Sequence, residues 1–493
     1  MKKMSSNRRN GIQLLFMIVL SVLSQVVALY KSRFTAVTFG ASNYMDAYNF
    51  ALNIGTFVFA FVTTGITTVV VPAYVKKTDK KAVNSFITII YGVVLCVLLL
   101  ILVFRFPLVK VLTHKGDEFT KLACSFLFIT FLMQGITAFL AVTTAYFQCI
   151  NHYIIPKMVM LVSNVLVAVI LISGVIKSFY AYMFLLVLGA FFNFVVDVTA
   201  AVKLGFRYKP AFDIHSPELK KMLVVFAPTL FSSGLYKIHS LVDTTIAANL
   251  AVGQLTILSY TTSIITMVNH FIIGNLTVYV YPKVVARLGK PDERESFWGY
   301  NIFFHGVVTL LIAGFFSVGY EACSIIFLGG KFTAEDTQML YKCACVYIFG
   351  QQINIVRDLV YRYFYANGNT QETFKNSVVV SITNIVLSLI FVQFWGLMGI
   401  IIGTVLSSLC SYVMILIKFR KNYGLGKEFL GVLVEYGKNL LALFVSVGVV
   451  LLTKHQFPIH GTIVSILVFG VETVVIFVSI LLLTKSKIRH VKI

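Results

Sequence analysis

Charged residues are scarce in this chain. Only 12% of its 493 residues are Asp, Glu, Lys or Arg, about half the share found in soluble proteins. Apolar residues reach 58%, and the mean hydropathy is +0.88. This balance excludes a soluble globular protein and indicates an integral membrane protein.

Motifs for enzymatic chemistry are missing as well. The sequence has no Walker A loop, which excludes ATP hydrolysis by that route. It has no HExxH pair, and no Ser, His and Asp set in a recognisable context. No segment between the hydrophobic runs is long enough to fold as an enzymatic domain. The chain is therefore predicted not to be an enzyme.

The seven cysteines form no CxxC motif, and most of them lie within apolar runs. Cys343 and Cys345 are two residues apart, so on a helix they point to different faces. We interpret all seven as small apolar packing residues, without a disulfide or a metal site.

The charge that is present is strongly biased, with a formal net value of +22. Basic residues punctuate the hydrophobic runs and form no face with interleaved aromatic rings, so nucleic-acid binding is not predicted. With the N-terminus inside, 30 of the 41 Lys and Arg fall in inner segments. This positive-inside bias predicts that both termini are cytoplasmic, which requires an even number of spans.

Hydrophobic runs long enough to cross a bilayer dominate the chain, since a span takes about 20 residues. There are fourteen, at 11–30, 44–75, 83–105, 121–150, 154–175, 178–203, 219–250, 255–282, 297–320, 334–366, 374–393, 396–420, 432–453 and 458–484. The predicted fold is therefore all-α, with 14 transmembrane helices.

The two halves of the chain share a pattern. An apolar helix ends at Pro72 before a basic loop in the first half, and another ends at Pro282 in the second. Both halves start inside, so the repeat is parallel, as in transporters whose site lies between two bundles. We predict two six-helix lobes and two extra C-terminal helices, at 1–210, 211–425 and 426–493.

Ionisable residues within the apolar runs mark the predicted site. Lys237 lies in the middle of a run, where a charge is costly unless it is paired or in water. We favour a position facing a hydrated cavity, where the ammonium binds phosphate as a point charge. The alternatives are snorkelling or pairing with Asp46 or Asp243. Lys31 and Arg33 extend this cationic set, unless they lie in an outer loop.

A second set of polar residues comprises Asp46 together with Asp243, Asn384 and Thr404, and the last three are the candidate Na⁺ ligands. A carboxylate, an amide and a hydroxyl on separate helices could together provide oxygen ligands for Na⁺. The alternative is hydrogen bonding between helices, at about 1 kcal/mol for each bond, and the spacing alone does not decide between the two.

Five further charged residues have no role that follows from their positions. Arg357, Asp358 and Arg362 lie near the inner end of the tenth run, where a structural cluster and a cytoplasmic gate both fit. Asp197 and Glu472 lie in the membrane or near its surface.

A set of motifs occurs in order through residues 11–420. They are FGASNYMDAYNFA at 39–51, VVVPAYVKK at 69–77, FQCINHYIIPK at 147–157, FAPTLFSSGLYKIHSLVDTTIAA at 226–248, FLGGKFTAEDT at 327–337, RYFYANGNTQETFKNSVVVSITNIVLSL at 362–389 and WGLMGIIIGT at 395–404. In this order they resemble the MurJ (MviN) family of lipid II flippases, within the multidrug/oligosaccharidyl-lipid/polysaccharide exporter superfamily.

The resemblance implies a V-shaped transporter of two lobes, whose last two helices, in 426–493, form a groove for a polyprenyl tail. It implies alternating access that carries the headgroup of an undecaprenyl-diphosphate-linked glycan to the outer leaflet of the bacterial plasma membrane, for peptidoglycan biosynthesis. Cell-wall synthesis proteins are the implied partners. A MATE-type drug or metabolite cation antiporter is the alternative, although its cavity would be acidic.

The resemblance also assigns residues. Lys31 falls where the family has a cavity arginine, and Asp46 matches the aspartate of its "DA" motif. Some members of the family bind Na⁺, and the positions that correspond to their ligands are Asp243, Asn384, Ser388, Ile400 and Thr404 in this sequence. The complete predicted substrate site comprises Lys31, Arg33, Asp46, Lys237, Ser263 and His270.

Three positions depart from the family pattern. Val37, Phe59 and Ser263 stand where well-studied proteobacterial members have arginines, and Lys237 and Arg33 restore part of that charge. A capsule or exopolysaccharide repeat unit on the same lipid carrier is therefore an alternative cargo.

Overall fold

The computed structural model describes residues 6–75, 78–150, 152, 154–269 and 283–490. Within these ranges the chain is helical, and the one isolated β-bridge joins Gly329 and Phe332. The all-helical fold class predicted from the sequence is confirmed. The helical fold follows from the membrane environment, because a backbone inside a bilayer has to satisfy its own hydrogen bonds.

Contacts between Cα atoms divide the chain into two compact units, 1–256 and 257–493. The helices of the first unit are α1 (Ser6–Phe39), α2 (Asn43–Gly65), a π-helical turn (Ile66–Val70), α3 (Val71–Val75), α4 (Lys80–Val103), α5 (Arg105–Leu112), α6 (Asp117–Cys149), α7 (Ile154–Ile172), α8 (Phe179–Lys203) and α9 (Pro217–Ala248).

Helix α10 (Gln254–Asn269) begins in the first unit. The second unit also contains α11 (Glu293–Phe327), α12 (Ala334–Phe349), α13 (Gln351–Ala366), α14 (Thr370–Trp395), α15 (Leu397–Tyr423), α16 (Phe429–Gln456), α17 (Thr462–Leu483) and a 3₁₀ turn (Lys487–His490). The first unit thus includes α9, which the sequence repeat assigns to the second lobe. The division into six-helix lobes stays a prediction.

Ten of the described helices are long and apolar enough to cross a bilayer, namely α2, α4, α6, α7, α8, α11, α14, α15, α16 and α17. The remaining four predicted spans fall on α1, on α9, on α10 and on the pair α12 and α13. The predicted run 334–366 is thus two helices of 16 residues each, separated at Gly350. The total of 14 spans stays a prediction.

Helix α1 continues beyond the first hydrophobic run and ends at Phe39. Lys31 and Arg33 therefore lie in a helix and not in an outer loop. The next helix begins at once, because Ser42 caps α2 by accepting a hydrogen bond from the backbone N–H of Met45.

Helix α2 is the centre of the first unit, where it packs against α6 and α9. Its membrane-crossing window is 67% buried within the protein, whereas those of α4, α6, α7 and α8 range from 17% to 39%. Polar side chains on α2 therefore face other helices more often than lipid.

Helix α11 has the same place in the second unit, against α16 and α17. Its start lies in an aromatic cluster, where the Arg294 guanidinium lies 5.0 Å from the ring centre of Tyr363 and 5.1 Å from that of Phe419. Trp298 donates from Nε1 to the carbonyl of Leu425 at 2.9 Å. These contacts fix one end of α11 on apolar ring faces.

Helices α14 and α15 cross with their backbones in contact. A Cβ atom at Gly399 would lie 2.2 Å from the carbonyl oxygen of Phe391, and one at Gly403 would lie 2.8 Å from the backbone nitrogen of Ser388. The four-residue spacing places both glycines on one face, as in membrane helix pairs that pack through small residues. This contact positions Asn384 and Thr404 next to each other.

Replacing Gly399 with Ala should weaken the α14–α15 contact, because the added methyl group meets a backbone that cannot move freely. We expect a loss of about 1–3 kcal/mol in stability, as for other overpacked interiors, seen as a lower melting temperature of the purified protein in detergent. Gly448→Ala on α16 is the control, since a Cβ there has nothing within 4 Å. Equal melting temperatures for the two variants would contradict this.

Candidate functional site

A polar stripe follows one face of α6. Gln134, Thr137, Thr144 and Gln148 recur at spacings of three, seven and four residues, which keeps them on the same side of a helix. All four line a cavity of about 540 Å³ in the first unit. These side chains are the polar contribution of α6 to the wall of the cavity.

Lys31 faces this cavity from α1. Its Nζ donates a hydrogen bond to Oδ1 of Asn164 on α7 at 2.6 Å. Ser163 and Asn193 also line the same space. The ammonium is therefore held by a neutral amide, and its charge stays available to a ligand in the cavity.

Lys237 faces an adjoining cavity of about 270 Å³, which it lines together with Thr56 and Phe59. Gln134 and Thr137 line both cavities, and Nε2 of Gln134 donates to Oγ1 of Thr56 at 3.1 Å. Lys31 and Lys237 thus open on neighbouring spaces that share the wall formed by Gln134.

A third cavity, of about 230 Å³, adjoins the first on its other side. The two share Thr144, Gln148 and Asn193 as lining residues, and the smaller one adds Lys157 and Asp197. The three spaces form a polar series through the first unit, with Lys237 at one end and Asp197 at the other.

Asp46 lies in a separate, fully buried network. Its carboxylate accepts hydrogen bonds from the N–H of Gly253 at 2.7 Å, and from the N–H and hydroxyl of Thr256 at 2.9 and 2.7 Å. Nζ of Lys115 lies 3.6 Å away. The carboxylate therefore caps the N-terminus of α10 from another helix, where the helix dipole stabilises a negative charge.

The remaining residues of the predicted substrate site lie elsewhere. Arg33 is exposed on α1 and does not line the cavity that Lys31 faces. Ser263 is exposed on α10 and donates to the carbonyl of Ser259 at 2.9 Å. His270 lies outside the described residues. The structure thus brings Lys31 and Lys237 to adjoining spaces, and it places Asp46 in a network of its own.

Two of the three predicted Na⁺ ligands are in contact. Nδ2 of Asn384 donates to Oγ1 of Thr404 at 3.0 Å. Oδ1 of Asn384 and Oγ of Ser388 are buried and have no hydrogen-bond partner among the described residues. Asp243 lies on α9, in the first unit.

Three of the charged residues without a predicted role, Arg357, Asp358 and Glu472, have close neighbours. Arg357 lies 3.5 Å from Asp358, and its guanidinium lies 5.7 Å from the ring centre of Tyr361. Glu472 on α17 accepts a hydrogen bond from the Thr453 hydroxyl at 3.0 Å. Both arrangements fit structural contacts between neighbouring side chains.

The bilayer-crossing helices and the polar cavities lined by lysines define the class of protein, a multi-pass membrane transporter. The family model described as "Lipid II flippase MurJ" matches residues 35–471. The chain therefore belongs to the MurJ family of lipid II flippases, which are transporters and not enzymes.

Relatives from several bacteria match over most of the chain. It is 21% identical to the probable lipid II flippase MurJ of Borreliella burgdorferi, with 87% of each chain covered. It is 23% identical to the probable lipid II flippase MurJ of Thermotoga maritima, with 93% of this chain and 94% of the relative covered.

Solved structures show the same fold. One described as lipid II flippase MurJ in an inward closed conformation matches with a TM-score of 0.77 at 18% identity, covering 94% of this chain and 98% of the other. An inward-facing multidrug resistance MATE family transporter matches with a TM-score of 0.64 at 14% identity, covering 86% and 99%. The architecture is thus the one shared by MurJ and MATE proteins.

Removing the Asp46 carboxylate should destabilise the protein. Asp46→Ala leaves Lys115 and two backbone N–H groups buried without their acceptor, which costs about 3–5 kcal/mol by comparison with other broken buried pairs. We expect a clearly lower melting temperature in detergent. Asp213→Asn is the control, because Asp213 pairs with an exposed Lys81 at 2.9 Å, and exposed pairs contribute little. A melting temperature of Asp46→Ala as high as that of the control would disprove the capping role.

Proposed function

We propose that this protein moves a polyprenyl-diphosphate-linked cell-wall precursor, lipid II or a similar lipid-linked oligosaccharide, from the inner to the outer leaflet by alternating access. The observation that carries the proposal is the position of Lys31 and Lys237 on adjoining cavities that share Gln134. Membership of the MurJ family supports the class of cargo.

The lining of these cavities suits a phosphorylated sugar. An ammonium binds phosphate as a point charge in any orientation, so two lysines can hold a diphosphate while it moves. Amides and hydroxyls of Gln134, Thr137 and Asn164 offer neutral donors and acceptors to sugar hydroxyls. A transporter also has to release its cargo, so moderate binding by a few charges serves it better than a strongly cationic site.

Phe59 and Lys237 line the same cavity. By family resemblance the position of Phe59 carries an arginine in other members. We infer that Lys237 supplies the charge that Phe59 lacks, from a different helix but to the same space. This inference favours an anionic cargo over the cationic cargo of a drug antiporter.

The membrane arrangement is part of the proposal. We infer 14 spans, with lobes at 1–210 and 211–425 in a V and a tail groove within 426–493, and the ten apolar helices and the five helices at the other four runs support this count. The bias of Lys and Arg supports cytoplasmic termini. Association with cell-wall synthesis proteins rests on the family alone.

Na⁺ is the proposed coupling ion, with Asn384 and Thr404 as its ligands in the second unit. The buried Oδ1 of Asn384 and the hydroxyl of Ser388 supply oxygen atoms that lack partners among the described residues, and hard cations take oxygen ligands. NaCl should then raise the melting temperature more than choline chloride does, and Asn384→Ala should remove the difference. Ser377→Ala, on the same helix, should retain it. Equal melting temperatures of the wild type in both salts would exclude the Na⁺ site.

Replacing Lys237 with Ala should abolish flipping while the protein is still expressed, because the diphosphate loses one of its two cationic contacts. The measurement is complementation of a bacterium depleted of its lipid II flippase, run beside a capsule flippase deletion that reports the alternative cargo. Lys121→Ala, at an exposed position on α6, is the control. Full complementation by Lys237→Ala would count against the proposed site.

A second arm moves the charge within the cavity. The double variant Phe59→Arg with Lys237→Ala puts a cation back into the same space from α2, so we expect it to regain much of the activity that the single variant loses. Phe59→Met with Lys237→Ala adds no charge and should stay inactive. Rescue by both double variants, or by neither, would show that charge in this cavity is not what transport needs.

A further inference from the structure

Three carboxylates are buried among the described residues, at Asp46, Asp197 and Glu435. An ionised carboxylate away from water needs a cation and several hydrogen-bond donors. Glu435 has them, since it accepts from Nζ of Lys438 at 2.7 Å, from the Ser486 hydroxyl at 2.6 Å and from the N–H of Lys487 at 3.1 Å. Asp46 is surrounded in the same way.

Asp197 on α8 lacks this support. Its side chain is as buried as the other two, with 1% of the residue exposed. Oδ2 contacts the hydroxyl of Thr143 on α6, and Oδ1 has no hydrogen-bond partner in the part of the chain that the structure describes. Within the same part, no Lys, Arg or His forms an ion pair with it. A negative charge at this position would be largely uncompensated.

The contact with Thr143 also accommodates a protonated carboxyl group. Its hydroxyl oxygen lies 3.1 Å from the carbonyl oxygen of Leu140, as well as in contact with Oδ2 of Asp197. A hydroxyl has one hydrogen to donate. If that hydrogen goes to Leu140, the contact with Asp197 requires a hydrogen on the carboxyl group.

The cavity beside Asp197 offers a route for exchange. Helix α6 presents Thr144 and Gln148 there, and α8 adds Asn193, none of which titrates. Among the described residues that line it, the one charged group from another helix is Lys157 of α7, whose Nζ donates to the Ser21 hydroxyl at 3.0 Å. A metal cation would share this space with an ammonium, which repels it, whereas a proton on the carboxyl group leaves no second charge.

We propose that Asp197 is a proton-binding site of the first unit, neutral in this conformation and able to exchange its proton through the adjoining cavity. On release, the O–H bond of the carboxyl group breaks, the proton passes to water and the carboxylate remains. Uptake is the reverse. Lys157, which lines the same cavity from α7, can stabilise the carboxylate after release. The binding itself needs no assumption about cargo, whereas its use to drive transport rests on the proposed function.

Infrared spectroscopy of the purified full-length protein in lipid vesicles tests the site directly. A protonated carboxyl group has a C=O stretching band that an ionised one lacks. We expect such a band at neutral pH in the wild type and its loss in Asp197→Asn, which keeps the shape of the neutral acid. Glu435→Gln is the matched control, and it should retain the band because Glu435 pairs with Lys438.

A second variant keeps the carboxyl group in place. Thr143→Val removes the hydroxyl that contacts Asp197, so the band should move to higher frequency without disappearing. An absent band in the wild type, a band that persists in Asp197→Asn, or one that does not move in Thr143→Val would each overturn the proposal. None of these measurements needs a cargo. The proton-binding site can therefore be tested even if the proposed flipping fails.

Discussion

The cost of an ionised group away from water determines how this protein is built. Each buried charge has its own solution. Asp46 is neutralised by Lys115 and by the start of another helix, and Glu435 is held by Lys438 and the segment after the last membrane helix. Among the described residues, Lys31 is held by one hydrogen bond, to the amide of Asn164. Because the Lys31 ammonium faces no opposite charge there, it can still bind a ligand. The number of partners around a charge thus distinguishes functional from structural charges.

The helices and their class follow from the sequence because the bilayer imposes one simple rule of length and polarity. The position of Lys237 beside a cavity follows from the same energetics. The partners of Asp46 do not, because Gly253 and Thr256 lie 207 and 210 residues further along the chain. Nothing local indicates which helix end a carboxylate will cap, and only the packed structure brings the two together.

The polar wall of the 540 Å³ cavity in the first unit is visible in the sequence. Gln134, Thr137, Thr144 and Gln148 form a stripe at helical spacing in an apolar run, which is the ordinary sign of a buried polar face. Attention to charged residues alone misses it, because amides and hydroxyls cost less to bury and are common between packed helices. The split of run 334–366 was hidden for a different reason, since a glycine within apolar sequence does not by itself end a helix.

The pairing of Phe59 with Lys237 in one cavity has a consequence for recognising related proteins. A cavity responds to the charge that reaches it and not to the helix that carries the side chain. Two chains can therefore present the same electrostatic field to a ligand while their aligned columns disagree at every cationic position. Comparing such transporters by the position of each charge within the cavity would group together chains that a sequence alignment separates.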